Sequence, residues 1–252
     1  MEIYGLIGYP LQHSFSPEFF SEKFARERID AEYKSFPLPN LSELSALIKQ
    51  TPELKGLNVT IPYKERVIPL LDEIYGEAKY IHAVNTIAIE RLDTEVKLYG
   101  YNTDVIGIEQ SLLPKLTRNM STALILGTGG TAKTVSRVLN KQGVDHIFVT
   151  RNPDKEFRSH SVITYEELGR EMVDARKLIV NTTPLGMYPK IDAYPPIPYE
   201  GITDEHLLFD VIYNPSVTRF MQLGKAHGAS GLNGIEMLHY QAEASWKIWN
   251  TK

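Results

Sequence analysis

The stretch that decides the fold reads Ala123-Leu-Ile-Leu-Gly127-Thr-Gly129-Gly130-Thr-Ala132-Lys133. Its first four residues are apolar and predict a buried strand, and the apolar residues after it recur at helical spacing as far as Gly143. Gly127, Gly129 and Ala132 thus stand at a strand-to-helix turn with the spacing G-x-G-x-x-G/A, the fingerprint of dinucleotide-binding folds. The first glycine allows the tight turn, the second lets the backbone approach a pyrophosphate, and the small third residue lets the helix pack on the strand. The alternative is a glycine turn without a ligand.

The strand that follows this helix indicates which dinucleotide is bound. It ends with Thr150 and Arg151, and Lys155 comes four residues later. A carboxylate at this place holds the ribose 2′-hydroxyl of NAD, whereas an arginine accommodates the 2′-phosphate of NADP. Two cations without a carboxylate at the strand end favour NADP, and only Asp154 offsets their charge. The alternative is that both cations are solvated surface charges.

The composition limits the classes of function. With 252 residues, 42% hydrophobic and 23% charged, the chain is typical of a globular protein of one or two domains. A net charge of −4 argues against nucleic-acid or anionic membrane partners. No apolar run reaches the roughly 18 residues that span a membrane, and the N-terminus lacks the pattern of a signal peptide. The absence of cysteine is compatible with a reducing compartment, so we expect a cytoplasmic protein.

Strands alternate with helices on both sides of the glycine loop, which predicts an α/β fold with mainly parallel sheet. The predicted strands are residues 3–8, 33–38, 56–61, 84–90, 96–101, 123–126, 146–150, 178–182 and 207–212. The predicted helices begin at the Ser16 N-cap, at Leu41, at Pro62, at the Thr103-Asp104 cap, after the glycines, and at Gly234. Because the N-terminal part has strands and helices of its own, we predict two domains with a boundary near residues 102–120. A proline-rich stretch at residues 184–204 is either a functional loop or a surface insertion.

A dehydrogenase that reduces a ketone needs a positioned proton donor for the alkoxide that forms. Lys64 follows a predicted strand at a corner where it could face a cleft, and Asp104 could orient it. The alternatives are a solvated lysine and an aspartate that only caps its helix. The seven histidines form no metal-ligand pattern, so we expect no metal. His13, Ser14 and Ser16 share a loop, but neither serine has a histidine at a spacing typical of a nucleophile.

Several segments together resemble one family, the shikimate dehydrogenases. The matching segments, in order, are Gly8-x-Pro10-x-x-His13-Ser14-x-Ser16-Pro17, Asn58-Val-Thr60-x-Pro62-x-Lys64, Ala83-Val-Asn85-Thr86, Asn102-Thr103-Asp104, Gly127-x-Gly129-Gly130, Asn181-Thr-Thr-Pro184-Leu-Gly186-Met187, Asp210-Val-Ile-Tyr213-Asn-Pro215 and Gly234-x-x-Met237-Leu-x-x-Gln241-Ala242. The resemblance covers nearly the whole chain. Three residues depart from the family pattern, and they are Phe15, Phe20 and Arg219.

The resemblance implies a fold and a reaction. The fold would be two α/β domains: a substrate-binding catalytic domain of residues 1–103 plus 234–252, to which the last helix returns, and a Rossmann-type NADP-binding domain of residues 104–233. The reaction would be the reversible, NADPH-dependent reduction of 3-dehydroshikimate to shikimate, a step towards chorismate and the aromatic amino acids. The protein would act as a monomer or a homodimer.

The resemblance also implies roles for individual residues. Ser14 and Ser16 would bind the substrate carboxylate, which hydroxyl donors can do, and Lys64 with Asp104 would be the acid–base pair. The other substrate contacts would be Asn58, Thr60, Asn85, Asp104, Tyr213 and Gln241. Gly127, Thr128, Gly129, Gly130 and Thr131 would hold the pyrophosphate, Thr150, Arg151 and Lys155 the 2′-phosphate end, and Val211, Gly234 and residues 182–187 the nicotinamide.

Two rival functions remain open. A quinate dehydrogenase, or one that accepts quinate and shikimate, would use the same scaffold, although Ser16 and Arg151 favour shikimate and NADP. A regulatory module that binds shikimate or a nucleotide without turnover would be expected to have lost Lys64 or Asp104, and both are present.

Overall fold

The computed structural model describes residues 1–11, 14–93, 95–153 and 161–251, and the chain divides into two compact units. Unit 1 comprises Met1–Ile106 together with Leu238–Lys252, and unit 2 comprises Gly107–Met237. Within the described residues, each unit has a six-stranded sheet and its own helices, so the predicted α/β class and two-domain organisation are confirmed. None of the described helices is both long enough and apolar enough to cross a membrane.

The sheet of unit 1 is mixed. Its strands are β1 (Glu2–Gly8), β2 (Ala31–Pro37), β3 (Leu54–Val59), β4 (Glu73–Ile74), β5 (Thr86–Arg91) and β6 (Val96–Tyr101). They lie in the order β2-β1-β3-β5-β6-β4. β1 pairs in parallel with β2 and β3, whereas β5 runs antiparallel to β3 and β6. The predicted hairpin is therefore formed by β5 and β6, and it places the start of β5 beside the end of β3.

The helices of unit 1 are α1 (Phe15–Glu27), α2 (Leu44–Gln50) and α3 (Ala78–Ile81). The boundaries between the two units fall within two further helices, α4 (Asp104–Leu112) and the last helix, α8 (Ile235–Asn250). The end of α8 packs on the sheet of unit 1. Trp249 donates its indole N–H to the Ile87 carbonyl at 2.9 Å, and its ring occupies the space that a Cβ on Gly56 would need.

Unit 2 has a six-stranded parallel sheet. Its strands are β7 (Thr122–Leu126), β8 (Asp145–Thr150), β9 (Val162–Thr164), β10 (Leu178–Asn181), β11 (Leu207–Asp210) and β12 (Ser230–Leu232). Its own helices are α5 (Gly130–Lys141), α6 (Arg170–Asp174) and α7 (Arg219–Ala226). The strand order β12-β11-β10-β7-β8-β9 is that of the doubly wound Rossmann fold. In such sheets a ligand binds where the order reverses, here at the carboxyl ends of β7 and β10.

Two local predictions are wrong. Helix α1 begins at Phe15 with Ser14, in extended conformation, as its N-cap, so Ser16 lies in the first turn instead of capping it. No helix starts at Pro62. Residues 61–71 form turns and a short 3-10 segment, because Pro69 lacks an N–H and disfavours the helical conformation of the residue before it. The helix predicted to begin at Thr103-Asp104 does so, since Asp104 is the first residue of α4.

The proline-rich stretch has little regular structure beyond a 3-10 turn at Tyr199–Gly201. Two of its isoleucines, Ile197 and Ile202, are buried in the core of unit 2. This part of the stretch is therefore packed into the domain, and a role in ligand binding stays a prediction.

Candidate functional site

Lys64 and Asp104 form the central pair of a polar cluster in unit 1. The Lys64 Nζ lies 2.6 Å from the Asp104 Oδ2, and the two side chains are 18% and 6% exposed. Lys64 lies in the turn after β3, and Asp104 begins α4 where the chain leaves β6. A charge-assisted hydrogen bond of this length fixes the direction of the ammonium group. The pair therefore offers an oriented proton donor that retains some access to solvent.

Asn85, the residue before β5, holds the other oxygen of Asp104. Its Nδ2 donates to the Asp104 Oδ1 at 2.9 Å and to the Thr103 Oγ1 at 3.0 Å. Its Oδ1 accepts from the Thr103 backbone N–H at 2.7 Å. Because that N–H can only donate, the orientation of the Asn85 amide is determined by the structure. Asp104 is thus held from both sides, by Lys64 and by Asn85.

Asn58 lies at the end of β3 and is 3% exposed. Its Oδ1 accepts from the Tyr33 hydroxyl at 2.8 Å, and its Nδ2 donates to the Ser245 Oγ at 2.9 Å. Both atoms of the amide are therefore bonded within the protein, and a contact of Asn58 with substrate stays a prediction. Gln241 lies one turn before Ser245 on α8, with its Oε1 3.4 Å from the Asn85 Nδ2.

The two serines of the predicted carboxylate site lie at the start of α1. Ser14 is half-buried, and Ser16 is 8% exposed. Burial raises the pKa of the Tyr33 phenol, and the nearby Ser16 hydroxyl offsets part of this rise. Thr60, just after β3, is half-buried, and His13 lies outside the described residues.

Eight of the residues that the sequence predicted for the substrate site belong to unit 1. They are Ser14, Ser16, Asn58, Thr60, Lys64, Asn85, Asp104 and Gln241. Tyr213 is half-buried and belongs to unit 2, so its substrate contact stays a prediction.

The glycine loop of unit 2 fits a dinucleotide. Gly127 follows β7 with φ of 105°, and a Cβ there would lie 2.8 Å from the Thr182 Oγ1, so that only glycine suits the position. Gly129 is the N-cap of α5, and a Cβ there would meet nothing within 4 Å. Gly129 has no side chain with which to cap α5, and therefore the N–H groups of the first turn can face an anion. Thr128, Gly130 and Thr131 are half-buried in the same loop.

The end of β8 fits the 2′-phosphate of NADP. Thr150 is half-buried and Arg151 is exposed, and residues 150–153 contain no carboxylate. A guanidinium there can bind a phosphate through two parallel hydrogen bonds. Lys155, which the sequence assigned to the same group, and Asp154 lie outside the described residues.

Asp210, at the end of β11, was missed by the sequence reasoning as a candidate of its own. It is fully buried and accepts from the Thr218 Oγ1 at 2.6 Å, from the Ile212 backbone N–H at 3.1 Å and from the Asn181 Nδ2 at 3.1 Å. Burial raises the pKa of its carboxyl, and the three hydrogen bonds offset part of that rise. The resulting pKa is about 6. Asp210 therefore fixes the turn after β11 that contains Val211 and Tyr213.

Of the two other residues predicted to lie near the nicotinamide, Val211 lies in this turn, and Gly234, the residue before α8, bonds to it. Val211 donates its N–H to the Asn181 carbonyl at 3.1 Å, and Gly234 donates to the Ile212 carbonyl at 3.0 Å. A Cβ on Gly234 would collide with the Val211 carbonyl. Glycine is therefore required for this close approach of two backbone segments in unit 2.

Comparison with known proteins decides the family. Residues 6–87 match the model of the shikimate dehydrogenase substrate binding domain. A protein of Clostridium beijerinckii named shikimate dehydrogenase (NADP(+)) is 42% identical over 258 residues, which cover 99% of this chain and 92% of that protein. The chain belongs to the shikimate dehydrogenase family. The matched residues include Ser14, Ser16, Lys64 and Asn85.

Two further members of the shikimate dehydrogenase family agree over nearly the full length. A Desulforamulus reducens protein, also named shikimate dehydrogenase (NADP(+)), is 35% identical and covers 98% of this chain and 89% of its own. The crystal structure of shikimate 5-dehydrogenase from Thermus thermophilus, in complex with NADP(H) and shikimate, superimposes with a TM-score of 0.85. It is 27% identical and covers 99% of this chain and 93% of its own.

Tyr33 and Ser245 join the site but were not found from the sequence. Ser245 follows Gln241 by one helical turn, which places the two residues on one face of α8, and that spacing is a usable signal. Tyr33 gives no such signal. It lies within β2, more than 20 residues before Asn58, and only the pairing of β2 and β3 on either side of β1 brings them together.

Proposed function

We propose that this protein reduces 3-dehydroshikimate to shikimate with NADPH, reversibly, as a step towards chorismate and the aromatic amino acids. The observation that carries the proposal is the 2.6 Å ion pair of Lys64 and Asp104 within the polar cluster of unit 1. Membership of the shikimate dehydrogenase family and the names of the relatives, which specify NADP(+), support the substrate and the cofactor.

We assign the two roles of the enzyme to separate parts of the chain. Residues 1–103 plus 234–252 form most of the substrate site, to which Asp104 and Tyr213 add contacts, and the family match over residues 6–87 supports this assignment. Residues 104–233 bind NADP, which the glycine loop and the doubly wound strand order support. NADPH, when bound, supplies the hydride for the carbonyl carbon of the substrate.

The residues of unit 1 bind the substrate and deliver the proton. Ser14 and Ser16 donate hydrogen bonds to the carboxylate, and Asn85, Asp104 and Gln241 reach the ring hydroxyls, with Thr60 and Asn58 beside them. When the carbonyl becomes an alkoxide, the Lys64 ammonium gives it a proton, and in the reverse reaction the neutral amine takes that proton back. Asp104 fixes the direction in which the Lys64 ammonium points.

The residues of unit 2 hold the cofactor. The Gly127–Thr131 loop and the first turn of α5 bind the pyrophosphate, and Thr150 with Arg151 and Lys155 binds the 2′-phosphate end. Val211, Gly234 and Tyr213 lie in or beside the turn that Asp210 fixes, and we assign Val211 and Gly234 to the nicotinamide and Tyr213 to the substrate. We expect the enzyme to act in the cytoplasm as a monomer or a homodimer.

A spectrophotometric assay tests the function. The purified protein is given shikimate with NADP, then quinate with NAD, and the formation of reduced nicotinamide is followed. We expect the highest kcat/KM with shikimate and NADP. A higher kcat/KM with quinate and NAD would make the protein a quinate dehydrogenase. No turnover with any pair would refute the dehydrogenase function and favour a binding module.

A further inference from the structure

A continuous chain of hydrogen bonds runs from Tyr33, beside Ser16, to the acid–base pair in unit 1. The Ser16 hydroxyl is near enough to the Tyr33 phenol to lower the pKa of that phenol. Tyr33 donates to the Asn58 Oδ1 at 2.8 Å, and the Asn58 Nδ2 donates to the Ser245 Oγ at 2.9 Å. This half of the chain leads from the phenol beside the serine assigned to the substrate carboxylate into the interior of the domain.

The second half leads from Ser245 to the acid–base pair. The Ser245 Oγ lies 2.8 Å from the Thr86 Oγ1 and 3.1 Å from the Thr103 Oγ1. The Thr86 hydroxyl donates to the Asn85 Oδ1 at 3.1 Å. Asn85 in turn donates to the Asp104 Oδ1, and the other oxygen of Asp104 binds Lys64. Ser245 is therefore the point at which Asn58, Thr86 and Thr103 meet.

The chain is shielded from water. Ser245 and Thr86 are fully buried, Thr103 is 1% exposed, and Tyr33 is 6% exposed. When a buried hydroxyl loses its hydrogen-bond partner, its desolvation is no longer compensated and the folded state is destabilised. Linked hydrogen bonds also strengthen one another. The loss of one member therefore disturbs its neighbours along the chain.

The donors at Ser245 can be assigned. The Asn58 Nδ2 can only donate, so the Ser245 Oγ accepts from it and has one proton left to give. The Gln241 carbonyl at 3.0 Å and the two threonine hydroxyls compete for that proton. Ser245 thus ties α8, which contains Gln241, to the strand ends that contain Asn58 and Asn85.

We propose that Tyr33 and Ser245 are positioning residues that couple the carboxylate end of the substrate site, at Ser16, to the acid–base pair, Lys64 and Asp104. Neither side chain touches the reacting atoms. Tyr33 acts through Ser16 and Asn58, and Ser245 acts through Asn85 on Asp104. The proposal rests on the proposed function and names residues that the family roles do not include.

The first test compares two buried helical serines. Ser245→Ala removes the junction. Ser111→Ala is the matched control, because Ser111 is 1% exposed in α4 and its hydroxyl donates to the Gly107 carbonyl four residues earlier, as Ser245 does to Gln241. We expect Ser245→Ala to lower kcat about tenfold, which corresponds to one misplaced hydrogen bond, with little change in the KM for shikimate. Ser111→Ala should leave both constants unchanged.

The second test compares two buried tyrosines. Tyr33→Phe keeps the packing on Phe20 but removes the hydroxyl that donates to Asn58 beside Ser16. Tyr4→Phe is the control, since Tyr4 lies in the same aromatic cluster and is 1% exposed. Within the described residues, its hydroxyl donates to Glu2 and lies outside the chain of hydrogen bonds. We expect Tyr33→Phe to raise the KM for shikimate about tenfold with a smaller effect on kcat. Tyr4→Phe should match the unaltered protein.

The double variant tests the coupling itself. Distant, independent sites give effects on kcat/KM that multiply, whereas linked sites do not. We expect Tyr33→Phe with Ser245→Ala to lose less kcat/KM than the product of the single losses. If the effects multiply, or if each single variant behaves like its control, the inference is overturned. If Ser245→Ala does not fold, Ser245→Cys replaces it, and a kcat equal to that of the unaltered protein would overturn the role of Ser245.

Failure of the proposed function would look different. It would remove turnover from the unaltered protein and from both controls, whereas failure of the inference leaves these three active. Thermal melting of each variant confirms that it is folded before its kinetics are compared.

Discussion

The ion pair of Lys64 and Asp104 makes better sense as chemistry than as a stabilising contact. A pair that is 18% and 6% exposed loses much of its Coulomb energy to desolvation, so it contributes little net stability. The pair does orient the Lys64 ammonium group. The neighbouring amide and hydroxyl groups can form hydrogen bonds with a polyhydroxy ring. Its main value is therefore the orientation of a proton.

Replacing Lys64 should separate catalysis from binding. Lys64→Ala removes the proton donor, and we expect kcat to fall by about a thousandfold, within the range for general acid catalysis, while the KM for shikimate changes only a few-fold. Lys177→Ala is the matched control, since Lys177 is 16% exposed, pairs with Asp174 and Glu205, and lies outside the site. Steady-state kinetics measure both. A near-normal kcat in Lys64→Ala would show that Lys64 is not the donor.

Arg151 should set the preference between the two cofactors. Arg151→Ala removes the cation at the end of β8, and we expect kcat/KM with NADP to fall at least about tenfold, because a charge-assisted phosphate contact is lost. The value with NAD, which has no 2′-phosphate, should change little. Arg118→Ala, at another exposed arginine of unit 2, is the control. Equal losses with both cofactors would contradict the assignment.

Asp210 should make the stability of the protein depend on pH. Its folded pKa of about 6 lies above the ordinary value of 3.8, so the folded state binds the proton more tightly than the unfolded state. Its contribution is thus fully present below about pH 4 and is lost as the pH rises through about 6, a change of about 3 kcal/mol. Urea unfolding of the unaltered protein and of Asp210→Asn measures it. The stability difference between them should shift in favour of the unaltered protein as the pH falls, and a constant difference would contradict the prediction.

The sequence allowed the residues of the acid–base pair to be predicted but not their supports. Lys64 and Asp104 follow predicted strands and were candidates from the sequence itself, whereas Asn85 was assigned only through the resemblance to the shikimate dehydrogenases. Tyr33 and Ser245 meet Asn58 only through strand pairing and helix packing over long separations, which no local pattern records.

At the scale of elements, the sequence predicted those with a clear apolar pattern and missed the shortest ones. The buried strands β7, β10 and β11 were predicted because continuous apolar runs are typical of parallel sheet. The two-residue β4 and the three-residue β9 and β12 were missed, since so few residues show no period. The prediction of a helix at Pro62 was wrong because it relied on the spacing of apolar residues and did not consider Pro69.

The glycine loop offers a test of one element with an internal control. Gly127 and Gly143 both have positive φ, of 105° and 69°, but a Cβ on Gly127 would meet Thr182 whereas one on Gly143 would meet nothing. We expect Gly127→Ala to weaken NADP binding at least about tenfold, because the turn must shift to relieve backbone strain and collision. Gly143→Ala should cost about 1 kcal/mol of stability without changing the affinity.

Isothermal titration with NADP measures the affinity of both glycine variants, and urea unfolding measures their stability. Equal affinities for NADP would contradict the role of the loop. A loss of affinity in Gly143→Ala as large as that in Gly127→Ala would instead indicate a general effect of backbone strain.

At the scale of the molecule, the sequence predicted two α/β domains because strands and helices alternate on both sides of the fingerprint. It could not show from spacing that α8 belongs with the first sheet. That depends on contacts such as Trp249 with Gly56 and Ile87, more than 150 residues away along the chain. The resemblance to a known family supplied this expectation, and the structure supplies its physical reason.

The division of labour between the units can be tested on the whole protein by amide hydrogen exchange. A ligand that binds only the folded state raises the free energy of local opening where it binds. At a concentration a hundred times its dissociation constant, the rise is about 2.7 kcal/mol, and amide exchange slows accordingly. We expect shikimate alone to slow exchange in peptides that contain Asn58, Lys64, Asn85 and Gln241. NADP alone should slow exchange in peptides of residues 126–133 and 149–153. Quinate at the same concentration is the control for shikimate, and NAD is the control for NADP. Protection by NADP confined to the sheet of unit 1, or by shikimate confined to the glycine loop, would contradict the assignment of substrate and cofactor to separate parts of the chain.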